Sequence, residues 1–210
     1  MSTVCGKRTA GMLGGMALAL LAGCAGVQPS HPSPPADARM EVPDDVLGRY
    51  ASALHLMQDQ RYDRAGEILE AVTRSRPDLP GPYVNLGIAY LHLDRLADAE
   101  RSLTRALELD PDNAALVHNL LGVVYRKSGR FAEARRCYER ALELDPGYAD
   151  AHLNLGILLE LYLQQPEAAL EHYARYRQLG GADDARVNSW ITDLKRRLPA
   201  GGHTTADASS

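Results

Sequence analysis

The sequence predicts an all-α fold in which helical hairpins stack side by side into a solenoid. The segment Arg-Ala-Leu-Glu-Leu-Asp-Pro occupies residues 105–111 and recurs unchanged at residues 140–146. The pair Leu-Gly occurs at residues 86–87, 121–122 and 155–156, at intervals of 35 and 34 residues. A period of this length is typical of repeats that each contain two helices. With 45% apolar and 24% charged residues, the chain also has the composition of an ordinary folded domain.

The period divides the middle of the chain into four two-helix repeats. These are predicted at residues 46–79, 80–113, 115–148 and 149–182. A last helix is predicted over residues 183–198, with Asp183 or Asp184 as its N-terminal cap. Its apolar residues fall on one face, and Trp190 is expected to lie in the core. Because the last repeat of a solenoid has no neighbour, this helix is expected to cover its exposed edge.

The two central repeats share a pattern of small and large residues. In the second repeat it consists of Tyr83, Leu86, Gly87, Tyr90, Ala99, Leu103, Ala106 and Pro111. In the third it consists of His118, Leu121, Gly122, Tyr125, Ala134, Tyr138, Ala141 and Pro146. This pattern resembles the tetratricopeptide repeat (TPR), in which glycine and alanine allow helices to cross closely. The first repeat lacks the Leu-Gly pair and the fourth has Leu159 in place of tyrosine, as expected for terminal repeats.

The amino terminus is typical of an exported protein. Lys7 and Arg8 precede a short apolar stretch, and Leu21-Ala22-Gly23-Cys24 follows it. The last four residues resemble the lipobox of bacterial lipoproteins. The resemblance implies a signal peptide over residues 1–23 and lipid attached to the Cys24 sulfur, which would hold the protein on a membrane. The alternative is an ordinary signal peptide that has a cysteine near its end by chance.

The segments on either side of the repeats are predicted to be a tether and a tail. Residues 24–45 contain the lipidated cysteine and a stretch rich in proline, which cannot form a helix or a central strand. Residues 199–210 are predicted to be a disordered tail. Ala25, rather than aspartate, follows Cys24. In enteric lipoproteins aspartate at this position resembles a mark for retention in the inner membrane, so the sequence indicates the periplasmic face of the outer membrane.

The TPR resemblance also predicts where a partner would bind. In this family the first helices of the repeats line a concave groove. The corresponding side chains are Tyr50, Leu54, Val84, Ile88, Asn119, Val123, Leu153 and Ile157, with Arg126 and Lys127 as a basic spot at one side. Such a strip suits an amphipathic helix or an extended apolar peptide. Two alternatives stay open: these residues pack against the next helix, or the proline-rich tether folds back over them.

The sequence contains no motif of a catalytic or cofactor site. It has no HExxH segment, no paired cysteines of a zinc site, no glycine-rich phosphate loop and no GxSxG segment. His118 and His152 take equivalent repeat positions and are interpreted as packing residues, as is the isolated Cys137. The net charge of −4 and the absence of a long basic run argue against nucleic-acid binding. We therefore expect no enzyme activity, cofactor, metal or small-molecule substrate.

These features predict a membrane-anchored scaffold or assembly factor in the bacterial cell envelope. The lipobox, the size and the number of repeats are similar to those of the PilF/PilW-type lipoproteins, which help the secretin subunits of type IV pili to assemble. Two other interpretations stay open. The protein is an adaptor that recruits envelope proteases or cell-wall hydrolases, or it is a structural subunit of an outer-membrane insertion or secretion complex.

Overall fold

A computed structural model of the chain describes residues 45–112 and 114–198, and these contain helices and turns but no strand. Four hairpins follow one another: α1 (Val46–Gln58) with α2 (Tyr62–Ser75), α3 (Pro80–His92) with α4 (Leu96–Leu109), α5 (Ala115–Lys127) with α6 (Phe131–Leu144), and α7 (Ala149–Leu161) with α8 (Pro166–Gln178). A 3-10 turn over Gly181–Asp183 leads into α9 (Ala185–Arg197). The predicted solenoid of four hairpins and a final helix is confirmed. The predicted leader, Cys24, the tether and the tail lie outside the described residues.

Each hairpin reverses direction through one residue in the left-handed backbone region. These residues are Gln60, Asp94, Gly129 and Gln164, with φ of 59°, 57°, 74° and 54°. Only one of them is glycine, although glycine is the residue that adopts this conformation without strain. The following residue then donates its backbone N–H to the end of the first helix, as Arg95 does to the Tyr90 oxygen at 2.9 Å. A single backbone conformation therefore sets the geometry of all four turns.

The core consists of two clusters of buried side chains that follow one another along the solenoid. The first joins α1 through α5, and the second joins α6 through α9. Alanine occupies the crossing point of each second helix and is fully buried in every repeat, as Ala65, Ala99, Ala134 and Ala169. Small side chains at these points let the helix axes approach closely, so larger neighbours fill the remaining space. The stack is thus held by apolar contacts between consecutive helices.

Polar contacts reinforce the join between neighbouring repeats. The hydroxyl of Tyr90 on α3 donates to Glu70 Oε1 on α2 at 2.5 Å. The guanidinium of Arg95 lies over the same tyrosine ring, 4.2 Å from its centroid. Burial, with the hydrogen bond to Glu70 as the second cause, raises the pKa of Tyr90 to about 12. The hydroxyl therefore stays protonated and keeps its role as a donor at any physiological pH.

The last helix covers the end of the stack, as expected. Asp184 caps it by accepting hydrogen bonds from the backbone N–H groups of Arg186 and Val187. Val187, Ile191 and Leu194 are buried and belong to the second core cluster. The expectation that Trp190 lies in the core is wrong, because its side chain is 37% exposed. It rests against the Tyr173 ring at the edge of the buried face, with ring centroids 5.8 Å apart.

Candidate functional site

The first helices of the repeats form a continuous surface, which we call the inner surface: the solvent-facing side of α1, α3, α5 and α7. Within the described chain, α1 contacts α3, α3 contacts α5 and α5 contacts α7. The second helices of neighbouring repeats make no comparable contact with one another. Helices that lie closer together line the inside of a curved stack. The residues predicted to line a groove are therefore on the concave side of the solenoid.

A row of four aliphatic side chains runs along the inner surface. Leu54, Ile88, Val123 and Ile157 lie on successive first helices, and all four are partly buried rather than fully covered. Leu54 and Ile88 border one cleft of about 350 Å³, which Met57 and Asn85 also line. Val123 and Ile157 pack against the second core cluster. The structure thus brings the first two of these residues together in a concave site, whereas the other two continue the apolar strip.

The far edge of the cleft is aromatic. Tyr62 at the start of α2 stacks on His92 at the end of α3, with ring centroids 3.9 Å apart and an angle of 2° between the planes. Two repeats further along, Phe131 and Tyr162 make the corresponding contact at 4.6 Å. Flat rings at the rim of an apolar cleft offer large contact area at a small cost in side-chain entropy. None of these four residues belongs to the predicted groove set.

The four residues one turn earlier on the first helices play different roles. Val84 and Leu153 are partly buried and pack against the core clusters, as does the Tyr50 ring. The Tyr50 hydroxyl accepts a hydrogen bond of 2.7 Å from Asn85 Nδ2. Asn119 is only 4% exposed. Its side chain is therefore covered by the protein itself and does not face a ligand.

Asn119 instead belongs to a polar network that links two repeats. Its Nδ2 donates to the Tyr148 hydroxyl at 3.2 Å, and its Oδ1 accepts from Asn154 Nδ2 at 3.0 Å. Asn85 makes the equivalent connection between the first two repeats through Tyr50. The Asn-Leu-Gly segments that contain Asn85 and Asn154 were visible in the sequence, and their repetition was the available signal. Hydrogen bonds between first helices thus fix the floor of the inner surface.

The predicted basic spot is already engaged in contacts within the protein. Lys127 Nζ lies 2.8 Å from Asp94 Oδ1, in an ion pair between the end of α5 and the turn that follows α3. Arg126 Nε donates to the Tyr138 hydroxyl at 3.3 Å. The Lys127 charge is therefore paired with a carboxylate, whereas the Arg126 guanidinium is held by the neutral hydroxyl of the core tyrosine. The row itself is thus made of apolar side chains.

Burial shifts the pKa values of two potentially reactive side chains of the described region, Cys137 and His118. Burial raises the pKa of the Cys137 thiol to about 11, so the unreactive thiol form dominates at neutral pH. Burial also lowers the pKa of His118, whose Nδ1 is buried with no hydrogen-bond partner. In residues 45–112 and 114–198, no group of three or more histidine, cysteine or acidic side chains is placed to hold a metal ion. In the same residues, no helix is long and apolar enough to cross a membrane.

The repeats match a known family. The tetratricopeptide repeat profile matches residues 78–147 and, in an overlapping alignment, residues 113–180. Together with four hairpins of this geometry, the match decides the architecture. Residues 78–180 thus match the tetratricopeptide repeat family, and the described chain has the fold of a TPR solenoid. No curated protein is significantly similar to this chain.

Solved TPR structures have the same arrangement of helices. The TPR protein TTC0263 from Thermus thermophilus has a TM-score of 0.63 and 22% identity, and the match covers 73% of this chain and 83% of that one. MamA from Desulfovibrio magneticus RS-1 has a TM-score of 0.60 and 22% identity, covering 67% and 78%. The Cut9–Hcn1 hetero-tetramer of the APC/C has a TM-score of 0.64 and 18% identity, covering 71% of this chain but 30% of its own. At these identities the likeness concerns the TPR fold alone.

Proposed function

We propose that this protein is a scaffold that binds another polypeptide along its inner surface. The observation that carries the proposal is the row of partly buried aliphatic side chains, which begins in the cleft between α1 and α3. TPR repeats are modules for protein–protein interaction, and a concave apolar surface is what such a module uses.

The chemistry of the cleft favours a peptide with an apolar side chain. Leu54, Met57 and Ile88 provide an apolar floor, and the Tyr62–His92 stack provides a flat wall. The Nδ2 group of Asn85 donates to Tyr50 and to the Gly81 carbonyl. Its Oδ1 has no partner among the described residues, so it is available to accept a hydrogen bond from a peptide N–H. An apolar anchor next to one backbone hydrogen bond is a common way to bind a peptide.

Replacing Ile88 and Val123 together by aspartate is expected to reduce partner capture at least tenfold. Two carboxylates in the apolar row would have to lose water when a partner binds, and a loss of about 1.4 kcal/mol already corresponds to tenfold. Capture is measured by placing a photo-crosslinking amino acid at Leu54 in cells that naturally produce the protein. Circular dichroism at 222 nm checks that the double variant stays helical.

The matched control carries Thr104→Asp and Ala132→Asp, two exposed positions on second helices. It adds the same charge away from the inner surface and is expected to capture the partner normally. Equal capture by both double variants would refute binding along the inner surface. The mass of the cross-linked partner distinguishes a secretin subunit from a protease or a cell-wall hydrolase.

We further propose that the scaffold is anchored by lipid on Cys24 to the periplasmic face of the outer membrane, where it assists pilus secretin assembly. The support is the segment Leu21-Ala22-Gly23-Cys24, with Lys7 and Arg8 before the apolar stretch. A lipid anchor followed by a proline-rich segment would hold the repeats close to the membrane while leaving the inner surface accessible.

Cys24→Ser is expected to abolish palmitate incorporation and to move the protein from the membrane fraction to the soluble fraction. Serine lacks the nucleophilic sulfur to which the lipid is attached. The readouts are radiolabelled palmitate and membrane fractionation, and the amount of secretin multimers is compared in the same cells. Cys5→Ser, a cysteine earlier in the leader, is the control and leaves all three unchanged. If the Cys24→Ser protein stayed in the membrane fraction, the lipid anchor would be contradicted. If cells in which only the Cys24→Ser protein is made had normal amounts of secretin multimers, the role in pili would be contradicted.

A further inference from the structure

Two histidines of the fourth repeat meet in a cleft away from the inner surface. His152 on α7 and His172 on α8 place their Nδ1 atoms 2.9 Å apart. The cleft has a volume of about 360 Å³ and is also lined by Leu142, Glu171 and Arg175. His152 was interpreted from the sequence as a packing residue, whereas the structure gives it two polar contacts. His172 was not identified at all.

The contacts of His152 determine which of its nitrogens carries the proton. Its Nε2 lies 3.2 Å from the Pro146 carbonyl oxygen, which can only accept a hydrogen bond. A neutral His152 therefore carries its proton on Nε2 and has a lone pair on Nδ1. His172 in turn donates its Nδ1–H to that lone pair. An imidazole whose second nitrogen is fixed by a backbone carbonyl is the arrangement found in histidines that bind metal ions.

We propose that His152 and His172 form a two-histidine binding site for a divalent transition-metal ion that prefers imidazole ligands, such as Cu²⁺. Bonds of about 2.0 Å from a metal to two nitrogens at a right angle place the nitrogens about 2.9 Å apart, whereas a tetrahedral angle places them about 3.3 Å apart. The observed separation of 2.9 Å is the length of the hydrogen bond between the two rings, and it is short enough for one ion to reach both nitrogens once the rings turn. Imidazole ligands suit copper and nickel, and these two ions prefer square or tetragonal sites.

Binding requires both rings to turn and one proton to move. The ring centroids are 5.2 Å apart, which is about the distance between the Nδ1 atoms plus the two ring radii. Each Nδ1 atom therefore points directly at the other. A metal ion must lie beside this line, and each ring reaches it by turning about its Cβ–Cγ bond. The proton of His172 then shifts from Nδ1 to Nε2 through solvent. The imidazoles thus release no net proton, and water completes the coordination of the ion.

The charges around the cleft do not oppose a cation. Glu171 and Arg175 both line it, and their charges offset each other. Arg135 and Glu139, the charged groups of α6 that act on His172, form an ion pair of 2.7 Å. Both imidazoles are partly exposed, so an ion and its water molecules can enter from solvent. A site with only two protein ligands is expected to bind more weakly than a structural metal site.

The test is a titration of the full chain with Cu²⁺ alone, followed by electron paramagnetic resonance and by competition with a chelator. The wild type is expected to show a tetragonal signal with nitrogen coupling. His152→Gln and His172→Gln are each expected to lower the affinity of this signal at least about tenfold. His55→Gln, an exposed histidine at the end of α1, is the matched control and is expected to leave it unchanged.

The proposal fails if either cleft variant binds Cu²⁺ as tightly as the wild type, or if His55→Gln weakens binding to the same extent. A second measurement uses the wild-type protein, so it does not depend on how the variants fold. Diethyl pyrocarbonate modifies accessible histidines, and mass spectrometry locates each modified residue. Saturating Cu²⁺ is expected to protect His152 and His172 and to leave His55 reactive. Unchanged modification of the pair would overturn the proposal.

Discussion

A chain that ends at Gly180 is expected to lose about 3 to 5 kcal/mol of its free energy of unfolding. The truncation removes α9, whose Val187, Ile191 and Leu194 are 0%, 4% and 0% exposed. Burial of three such side chains contributes roughly 1.5 to 3 kcal/mol each, and the entropy of ordering the helix offsets part of the sum. Urea unfolding, followed by circular dichroism at 222 nm, measures the loss.

The truncation also uncovers the apolar side of the fourth repeat. Tyr173 and Leu158 are fully buried in the cluster that α9 completes, and the salt bridge from Arg197 to Glu160 is lost with the helix. In a solenoid each repeat is stabilised by its neighbours, so the end repeat is expected to fray first. A fluorescent dye that binds exposed apolar surface should therefore bind the truncated chain more strongly.

A chain that ends at Leu198 is the control for this truncation. It lacks only residues 199–210 and keeps the whole of α9. We expect its urea midpoint and its dye binding to equal those of the full chain. If the two truncated chains unfolded at the same urea concentration, α9 would not be the stabilising cap that its burial indicates.

The repeat architecture was predictable because it depends on the spacing of small and large residues. Gly122 and Tyr138 are an example. Where the glycine leaves a gap between the two crossing helices, a large side chain of the facing helix must fill it. The same helix crossing is built from Gly87 with Leu103 and from Gly156 with Tyr173. A requirement that recurs every 34 or 35 residues leaves a periodic signal in the sequence, and helix positions follow directly from it.

The polar contacts of the site were not predictable in the same way. Whether Asn119 faces solvent or a neighbouring helix depends on Tyr148 and Asn154, which lie outside its own helix. The Lys127–Asp94 pair likewise joins the end of α5 to the turn that follows α3, which are far apart in sequence. Because these contacts depend on how far one repeat is rotated relative to the next, helix periodicity alone does not specify them. The positions of the four residues in the apolar row, by contrast, could be predicted from the repeat period alone.

Trp190 shows the limit of the periodicity argument within a single helix. It lies three residues after Val187 and one before Ile191, so it falls at the margin of the apolar face. Its neighbour across the interface is the ring of Tyr173, which is itself buried. A large ring at the margin of a face that is already filled covers the interface instead of entering it. The pattern indicated the correct face but not the depth of this residue.

Gly122→Ala is expected to lower the free energy of unfolding by about 1 to 2 kcal/mol, although alanine favours helices more than glycine does. A methyl group at this position would lie 2.4 Å from Cε1 of Tyr138. That ring is fully buried, so it can move only by displacing its core neighbours. Overpacking of a filled core costs about 1 to 3 kcal/mol and sometimes more, which exceeds the gain of about 1 kcal/mol in helix propensity. Urea unfolding measures the difference.

Gly66→Ala makes the same chemical change where there is space for it. Gly66 lies within α2, and a methyl group there would have no side chain within 4 Å. We expect this variant to be more stable than the wild type by about 0.5 to 1 kcal/mol, since only helix propensity changes. The two alanine substitutions should therefore shift the urea midpoint in opposite directions. If both raise it, the crossing at Gly122 is less close than the structure indicates.

Removing the opposing ring identifies the cause of the Gly122 penalty. In a Tyr138→Ala background the core has lost the atoms that the new methyl group would meet, so Gly122→Ala should cost nothing there or be stabilising. Two residues in contact are expected to show this departure from additivity, whereas distant residues are not. If Gly122→Ala lowered the free energy of unfolding equally in the wild type and in the Tyr138→Ala variant, the contact with Tyr138 would not be the cause of the loss. The close approach of α5 and α6 would then have to be explained without the glycine.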